Sequence, residues 1–250
     1  MKISVITVCY NSELTLNRAL QSVVDQDWPY IEYIVIDGAS TDGSLEIIER
    51  FRSQLVHVVS EPDNGIYDAM NKGLDLASGD IVCFLNADDH YSHQKVLSQV
   101  AKQMIDHNLD ALMGDVAFFH PHEPTRIIRR FRSNRFRPDR LAWGWMPAHP
   151  ALFLRKTVID RVGRFNTNYR IAGDFEFIIR AFYNHTLRYQ YVPEALVHMQ
   201  TGGVSTSGLR SKFLLNREVL RACRENGVQT NIFKILSRYS AKVLELISKQ

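Results

Sequence analysis

The sequence predicts an α/β fold in which a mostly parallel central sheet is flanked by helices. Three observations carry this. Over residues 1–90, short β-branched apolar runs alternate with stretches of helical spacing, and that alternation implies a parallel sheet with right-handed crossovers. Each of the four strands expected there runs into polar residues, at 7–11, at 37, at 61–64 and at 86–89. The 250 residues, 45% hydrophobic and 23% charged, suffice for one large domain with an ample core.

Ile3 to Cys9 is the first strand. Leu14, Leu16, Leu20, Val23 and Val24 mark a helix after it, with Asn11 or Ser12 as N-cap. Ile31 to Ile36 is the second strand and ends at Asp37. Residues 38–43 form a turn before a helix through Leu45, Ile47, Ile48 and Phe51. Val56 to Val59 is the third strand. Ile66, Ala69, Met70, Gly73, Leu74 and Ala77 then recur at helical spacing. The fourth strand, Ile81 to Leu85, runs into Asn86-Ala87-Asp88-Asp89.

The second half is less regular. A helix through Val96, Val100, Met104 and Ile105 precedes a strand from Leu109 to Phe119. Residues 126–140 hold seven arginines, read as a solvated face or as a contact for anionic lipid headgroups. A short strand (151–154), a short helix (158–162) and an apolar helix after Gly173-Asp174 follow. Short strands are expected at 189–192 and 195–198, and a loop at Gly202-Gly203-Val204-Ser205. Two helical stretches close the chain. The second, Ile232 to Ile247, is amphipathic and basic, as interfacial helices are, or as a helix packed on the domain can be.

Composition narrows the function. A net charge of +3 is too small to argue for nucleic acid, so no nucleic-acid partner is expected. Cys9, Cys83 and Cys223 lack metal-ligand spacing and read as buried free thiols of a reducing compartment. The first apolar run is too short for a signal peptide, and no window approaches a membrane span. The expected location is cytoplasmic, with peripheral attachment to the inner face of the membrane open.

In an open α/β sheet, ligands bind at the carboxyl ends of the strands. Asp37 there can accept from a ribose hydroxyl or a base N–H, although a turn or cap role also fits. Neither a Gly-x-Gly-x-x-Gly nor a Gly-x-x-x-x-Gly-Lys-Ser/Thr loop is present, so the usual backbone phosphate cradles are missing. A Mg²⁺ or Mn²⁺ ion on Asp88 would supply the missing charge. The plain alternative is that Asp88 and Asp89 cap the next helix.

Four ordered stretches carry a resemblance: Thr7-Val-Cys-Tyr-Asn-Ser-Glu13, Asp37-Gly-Ala-Ser-Thr-Asp-Gly43, Glu61-Pro-Asp-Asn-Gly-Ile-Tyr-Asp-Ala-Met-Asn-Lys-Gly73 and Leu85-Asn-Ala-Asp-Asp89. Together they resemble the motifs of family-2 inverting glycosyltransferases of GT-A (Rossmann-like) fold. Within that family the chain is similar to bacterial enzymes of colanic-acid, capsule and O-antigen assembly. Gly173-Asp-Phe-Glu176 and Gly202-Gly-Val-Ser205 extend the likeness to about residue 206. It implies a nucleotide-sugar half (1–90), an acceptor-side half (91–206) and a C-terminal helical extension (207–250).

The resemblance implies that Thr7, Tyr10, Asn11, Glu13 and Asp37 contact the nucleotide. Asn64 and Lys72 lie on the substrate-facing helix, and Asn86 and Ala87 adjoin the donor. Asp88 matches the metal-binding carboxylate of an Asp-x-Asp motif whose first Asp is here Asn86, so Asp89 is expected to share the metal. Asp174 matches the catalytic base, with Glu176 as second choice. His198 would be a late metal or diphosphate ligand unless it is structural, and His149 would face donor sugar or acceptor. The implied reaction moves a sugar from a UDP- or GDP-sugar to a lipid-linked glycan acceptor of a surface polysaccharide. A sugar nucleotidyltransferase is the competing enzyme, but it needs a Gly-rich loop where Thr7 to Ser12 has no glycine. A non-catalytic nucleotide-sugar-binding protein is the third reading.

Overall fold

The fold is seen in a computed structural model that describes residues 1–183, 185–202 and 208–238. The four early strands form as expected: β1 (Ile3–Cys9), β2 (Ile31–Asp37), β3 (His57–Ser60) and β4 (Ile81–Phe84). They lie side by side in the order β3-β2-β1-β4, all parallel. The register aligns Cys9 with Asp37 and Asp37 with Ser60, while Leu85 donates from its N–H to the Ile6 carbonyl. All four polar ends therefore share one edge of the sheet.

Helices cover both faces, which is why the strands are apolar without alternation. Ile6, Val8, Ile34 and Ile36 pack with α3 (Ile66–Leu76) and α6 (Gly173–Phe182). Ile3, Val5, Cys9 and Val35 pack with α1 (Leu16–Val24), α2 (Ser44–Arg50) and α4 (Val96–Asp106). Gly73 is required where α3 crosses β1, because a Cβ would collide with the Ile6 side chain.

The sheet then turns back on itself. β8 (Leu152–Arg155) runs antiparallel to both β4 and β6 (Ala111–His120), and β9 (Tyr189–Gln200) runs parallel to β6. β5 (His90–Tyr91), which directly follows Asp88-Asp89, pairs antiparallel with β9. β7 (Glu123–Phe131) hangs on β6 as an exposed edge strand, and α5 is Lys156–Val162. The expected α/β class holds, with nine strands in one sheet among the described residues.

Several local expectations need correction. Leu14 is 92% exposed and stands outside α1. Thr15, not Asn11 or Ser12, occupies the N-cap position, because the Asn11 side chain is engaged by the neighbouring loop. The two short strands at 189–198 are one, since a register shift opposite Met113–Val116 lets the chain continue past Pro193. The arginine run keeps to the solvated face expected of it, all seven residues being exposed, and at least four of them also make contacts within the molecule. Arg130 pairs at 2.7 Å with buried Asp115, Arg129 lies 3.7 Å over the Phe118 ring, and Arg126 and Arg137 pair with Glu123 and Asp139. The three cysteines are buried and free.

α7 (Leu209–Glu225) packs on α6, and residues 232–238 are again helical. The basic apolar stripe expected there is split. Ile235 is buried, whereas Phe233 and Leu236 are exposed. Arg238 is buried as well, donating to the Gly144 carbonyl and the Asn216 side chain. Tyr239 to Ile247, and residues 203–205 of the glycine loop, lie outside the described residues. Among the described residues no helix is long and apolar enough to cross a membrane.

Candidate active site

The crevice begins where the loops after β1 and β2 are zipped together. The Asn11 N–H donates to Ser40 Oγ, and Asn11 Oδ1 accepts from the Thr41 N–H at 2.9 Å. The Ser12 N–H donates to Ser44 Oγ, and Glu13 Oε2 accepts from the Gly43 N–H. Asn11 and Ala39 both take left-handed backbone angles, with φ of 47° and 61°, uncommon conformations that concentrate at functional sites. Tyr10 is left 63% exposed. A Cβ on Gly38 would lie 2.5 Å from Asp63 Oδ2 and 3.3 Å from Tyr10 Cδ2. Glycine there lets an exposed ring and a carboxylate flank the strand end.

Thr7 and Asp37 stand behind this wall rather than in it. Thr7 is fully buried, with its hydroxyl 3.1 Å from the Tyr33 hydroxyl. Asp37 is also fully buried and accepts from Ser40 Oγ, the Ser40 N–H and Ser60 Oγ. It fixes the loops that carry Asn11 and Tyr10. Lys72 likewise holds its own loop, through Glu61 and the Pro62 carbonyl at 2.8 Å each. Asn64 is exposed at the start of α3, where its N–H donates to Asp68 Oδ2.

At the end of β4, the residues Asn86 to His90 hold an unusual set of buried polar atoms. Asn86 Oδ1, both Asp89 oxygens and His90 Nδ1 lack well-formed hydrogen bonds among the described residues. Such orphans are rare. Asp89 is completely buried. Burial first, and then the Asp88 charge, push its pKa well up, against smaller relief from the Gln200 N–H and Arg18. Burial also raises Asp88. The β5–β9 register sets His198 opposite His90, with ring centroids 5.1 Å apart. Burial, then Arg18 and His198, lower His90 to about 4. Arg18 of α1 faces this group, donating to Gln200 Oε1 with its guanidinium 4.6 Å over the Phe119 ring.

Oxygen acceptors with few or poorly aligned donors are what a hard cation would need. Among the described residues no three His, Cys, Asp or Glu side chains gather as a ready metal cage. The site fits an ion that takes few protein ligands and shares the rest with substrate oxygens.

Asp174 lies in the first turn of α6 and is partly buried. One carboxylate oxygen accepts from the Phe175 N–H at 2.8 Å and lies 3.5 Å from the Tyr67 hydroxyl. Burial raises its pKa to about 6, over the opposing pull of these donors. It does not cap α6, whose N-cap is Ala172. Glu176 drops out as a base. It is buried in a two-bond pair with Arg180, at 2.7 and 2.8 Å.

An aromatic layer joins the two ends. Phe84, the last residue of β4, stacks on His149 at 5.5 Å and meets Phe165 edge-on at 5.3 Å. Phe165 in turn stacks on Tyr67 at 5.8 Å. Burial lowers His149 to about 4, so it is a neutral ring in this layer.

Sequence reasoning missed Arg18, His90 and Tyr67. Arg18 had a signal, a charge amid the buried positions Leu16, Ala19 and Leu20. Tyr67 lay inside the Glu61–Gly73 motif, from which only Asn64 and Lys72 were singled out. His90 had none, because a two-residue strand leaves no period.

Residues 4–163 match the model of Glycosyl transferase family 2. A PGL/p-HBAD biosynthesis glycosyltransferase of Mycobacterium bovis (strain BCG / Pasteur 1173P2) is 32% identical over 225 residues, which cover 84% of this chain and 82% of that protein. The crystal structure of S. aureus TarS 1-349 in complex with UDP-GlcNAc superposes with a TM-score of 0.69 at 23% identity, covering 89% of this chain and 66% of that one. The mannosyltransferase PcManGT from Pyrobaculum calidifontis, in complex with GDP-Man and Mn²⁺, superposes with a TM-score of 0.61 at 20% identity, covering 94% and 68%. The chain spans 39% of the longer TarS chain. These structural likenesses establish the fold.

Proposed function

The chain belongs to glycosyl transferase family 2, and from that premise we propose a metal-assisted, inverting transfer from a UDP- or GDP-sugar to a glycan acceptor. The observation that carries the mechanism is that two unlike groups are linked through the Phe84–Phe165–Tyr67 aromatic layer. One is a set of poorly partnered oxygens at Asn86 and Asp89 beside Asp88. The other is Asp174, a carboxylate raised to about 6.

An acceptor hydroxyl attacks the anomeric carbon as the bond from that carbon to the diphosphate oxygen breaks. Asp174 takes the hydroxyl proton. With a pKa of about 6 it is ionised at pH 7 yet more basic than an ordinary carboxylate. Asn86, Asp88 and Asp89, with His198 beside them, would hold Mg²⁺ or Mn²⁺. That ion supplies positive charge at the leaving diphosphate. Arg18 adds a second positive charge behind the carboxylates. Tyr10, Asn11 and the Gly38 turn wall the nucleoside, with Thr7, Glu13 and Asp37 fixing that wall. Asn64 and Ala87 border the sugar.

The lipid-linked acceptor and attachment at the cytoplasmic face of the membrane belong to the same proposal. Their support is an exposed apolar and basic patch. Phe213 is 72% exposed, Phe233 81% and Trp143 40%, with Lys234 5.5 Å over the Trp143 ring. Arg238 ties these segments together through Gly144 and Asn216. Co-sedimentation with anionic vesicles should fall severalfold in a Phe213→Ser, Phe233→Ser variant. Unchanged binding would remove the patch from this role.

The central test is calorimetric titration of UDP-GlcNAc and GDP-mannose with and without Mn²⁺, followed by hydrolysis and transfer assays. Asp88→Ala should abolish the Mn²⁺-dependent part of donor binding. Asp174→Asn should bind donor normally and turn over about 10²–10⁴-fold more slowly. Full turnover by Asp174→Asn would overturn the mechanism.

A further inference from the structure

The loop that delivers Asp174 is held from two sides. From α3, Tyr67 donates its hydroxyl to the Ile171 carbonyl at 2.6 Å. Its ring lies so close to Gly173 that a Cβ there would be 2.7 Å from the ring edge. From α7, Glu218 accepts three successive backbone N–H groups, those of Arg170, Ile171 and Ala172, each at 2.9 Å. Glu218 is 6% exposed. A carboxylate enclosed by consecutive amides is a strong, geometrically demanding contact. Next to it, Tyr169 donates to Glu225 at 2.6 Å, and Arg221 lies 4.2 Å over the Tyr169 ring while pairing with Glu225.

α6 has no side-chain cap of its own. The Glu218 carboxylate instead holds, from another helix, the two loop residues and the N-cap residue Ala172 that lead into Gly173-Asp174. Three N–H groups that would otherwise face a partly buried loop are satisfied by one side chain, which fixes the approach of the backbone into α6.

We propose that Glu218 is a positioning residue for the base Asp174, so that α7 is a working part of the active site rather than an appendage. The proposal rests on Asp174 being the base. Glu218 itself touches no reacting atom. It sets where the Asp174 carboxylate points by setting residues 170–173. The groups facing Asp174 from neighbouring elements are the Tyr67 hydroxyl on α3 and the Glu218 charge on α7. Glu218 raises the Asp174 pKa by repulsion, so removing that charge lowers it.

The test uses the full chain with Glu218→Gln, which keeps the shape and loses the charge and half of the acceptor capacity. Glu218→Ala is a harsher second variant. Amide exchange at 170–172 should quicken by about tenfold or more in Glu218→Gln. The midpoint of Asp174, followed by ¹³C carboxyl NMR, should move below its value of about 6. Mn²⁺-supported hydrolysis of UDP-GlcNAc and GDP-mannose should lose about tenfold in kcat with little change in KM. A folded Glu218→Gln with unchanged midpoint, exchange and kcat overturns the proposal, even if its melting temperature drops. Wild-type turnover in Asp174→Asn would instead remove the base assignment, and this proposal with it.

Discussion

Asp174→Asn should make the protein more stable as it makes it less active. The pKa of Asp174 stands at about 6 against an ordinary value of 3.8, because burial outweighs the Phe175 N–H and Tyr67 donors. A carboxylate whose folded pKa is raised favours the folded state fully only below its unfolded pKa. That contribution is lost as pH rises through about 6. Two units at 1.36 kcal/mol each come to about 3 kcal/mol at pH 8. At pH 4.5 the same linkage leaves about 1 kcal/mol. Asn keeps an oxygen for the Phe175 N–H and carries no charge, so it avoids the cost of ionising there. Urea unfolding of both proteins at pH 4.5, 6 and 8 should show the variant ahead by a margin that widens with pH. At this chain length each kcal/mol is worth about 2–4 °C in melting temperature. A variant less stable at pH 8, or ahead by the same margin at every pH, would refute the account of Asp174 as a carboxylate held against its own ionisation.

The other expectations test neighbouring parts of the structure. Glu32 has the opposite linkage. Burial opposes its charge, but Lys2, Ser4 and Ser78 outweigh it and hold the pKa at about 2. Its contribution is present above about pH 4.5 and is lost as pH falls toward 2. Glu32→Gln should therefore cost about 3 kcal/mol at pH 7 and much less near pH 2.5, read by urea midpoints. Gly173→Ala should push the Tyr67 ring off the loop, costing about 1–3 kcal/mol in stability together with a fall in kcat. Asn86→Asp should tighten Mn²⁺ binding measured by calorimetry and lower stability without metal, whereas Asp88→Ala should abolish that binding. Treatment with EDTA should stop turnover, and Mn²⁺ should restore it.

The first 90 residues were legible because their structure is local. Ile3–Cys9, Ile31–Asp37 and Ile81–Phe84 are apolar without alternation since both faces of the sheet are covered. Once four such strands are parallel, their polar ends must share an edge. Sequence could not distinguish a residue that lines the crevice from one that braces it. Asp37 and Thr7 carry the right chemistry at the right strand ends. Yet the pleat turns them into Ser40, Ser60 and Tyr33, which lie 3 to 26 positions away in sequence. The surroundings of Asp174 depend on still longer links. Glu218 reaches back 46 to 48 residues and Tyr67 forward 104. No periodicity encodes such pairs.

The amide at position 86 makes physical sense beside Asp88 and Asp89. Asp89 is already driven up by burial and by the charge of Asp88. A third carboxylate within the same turn would deepen that repulsion, with Arg18 the nearby cation that offsets it. Asn86 retains an oxygen, buried and unpartnered, without adding a charge that the folded chain must hold before any cation arrives. Arg18 answers the same need from α1, held over Phe119 and tied to Gln200. The end of β4 thus combines a low charge in the free protein with open oxygen acceptors. Under the proposed mechanism, that combination would suit a site that binds a cation together with a diphosphate and releases both after transfer.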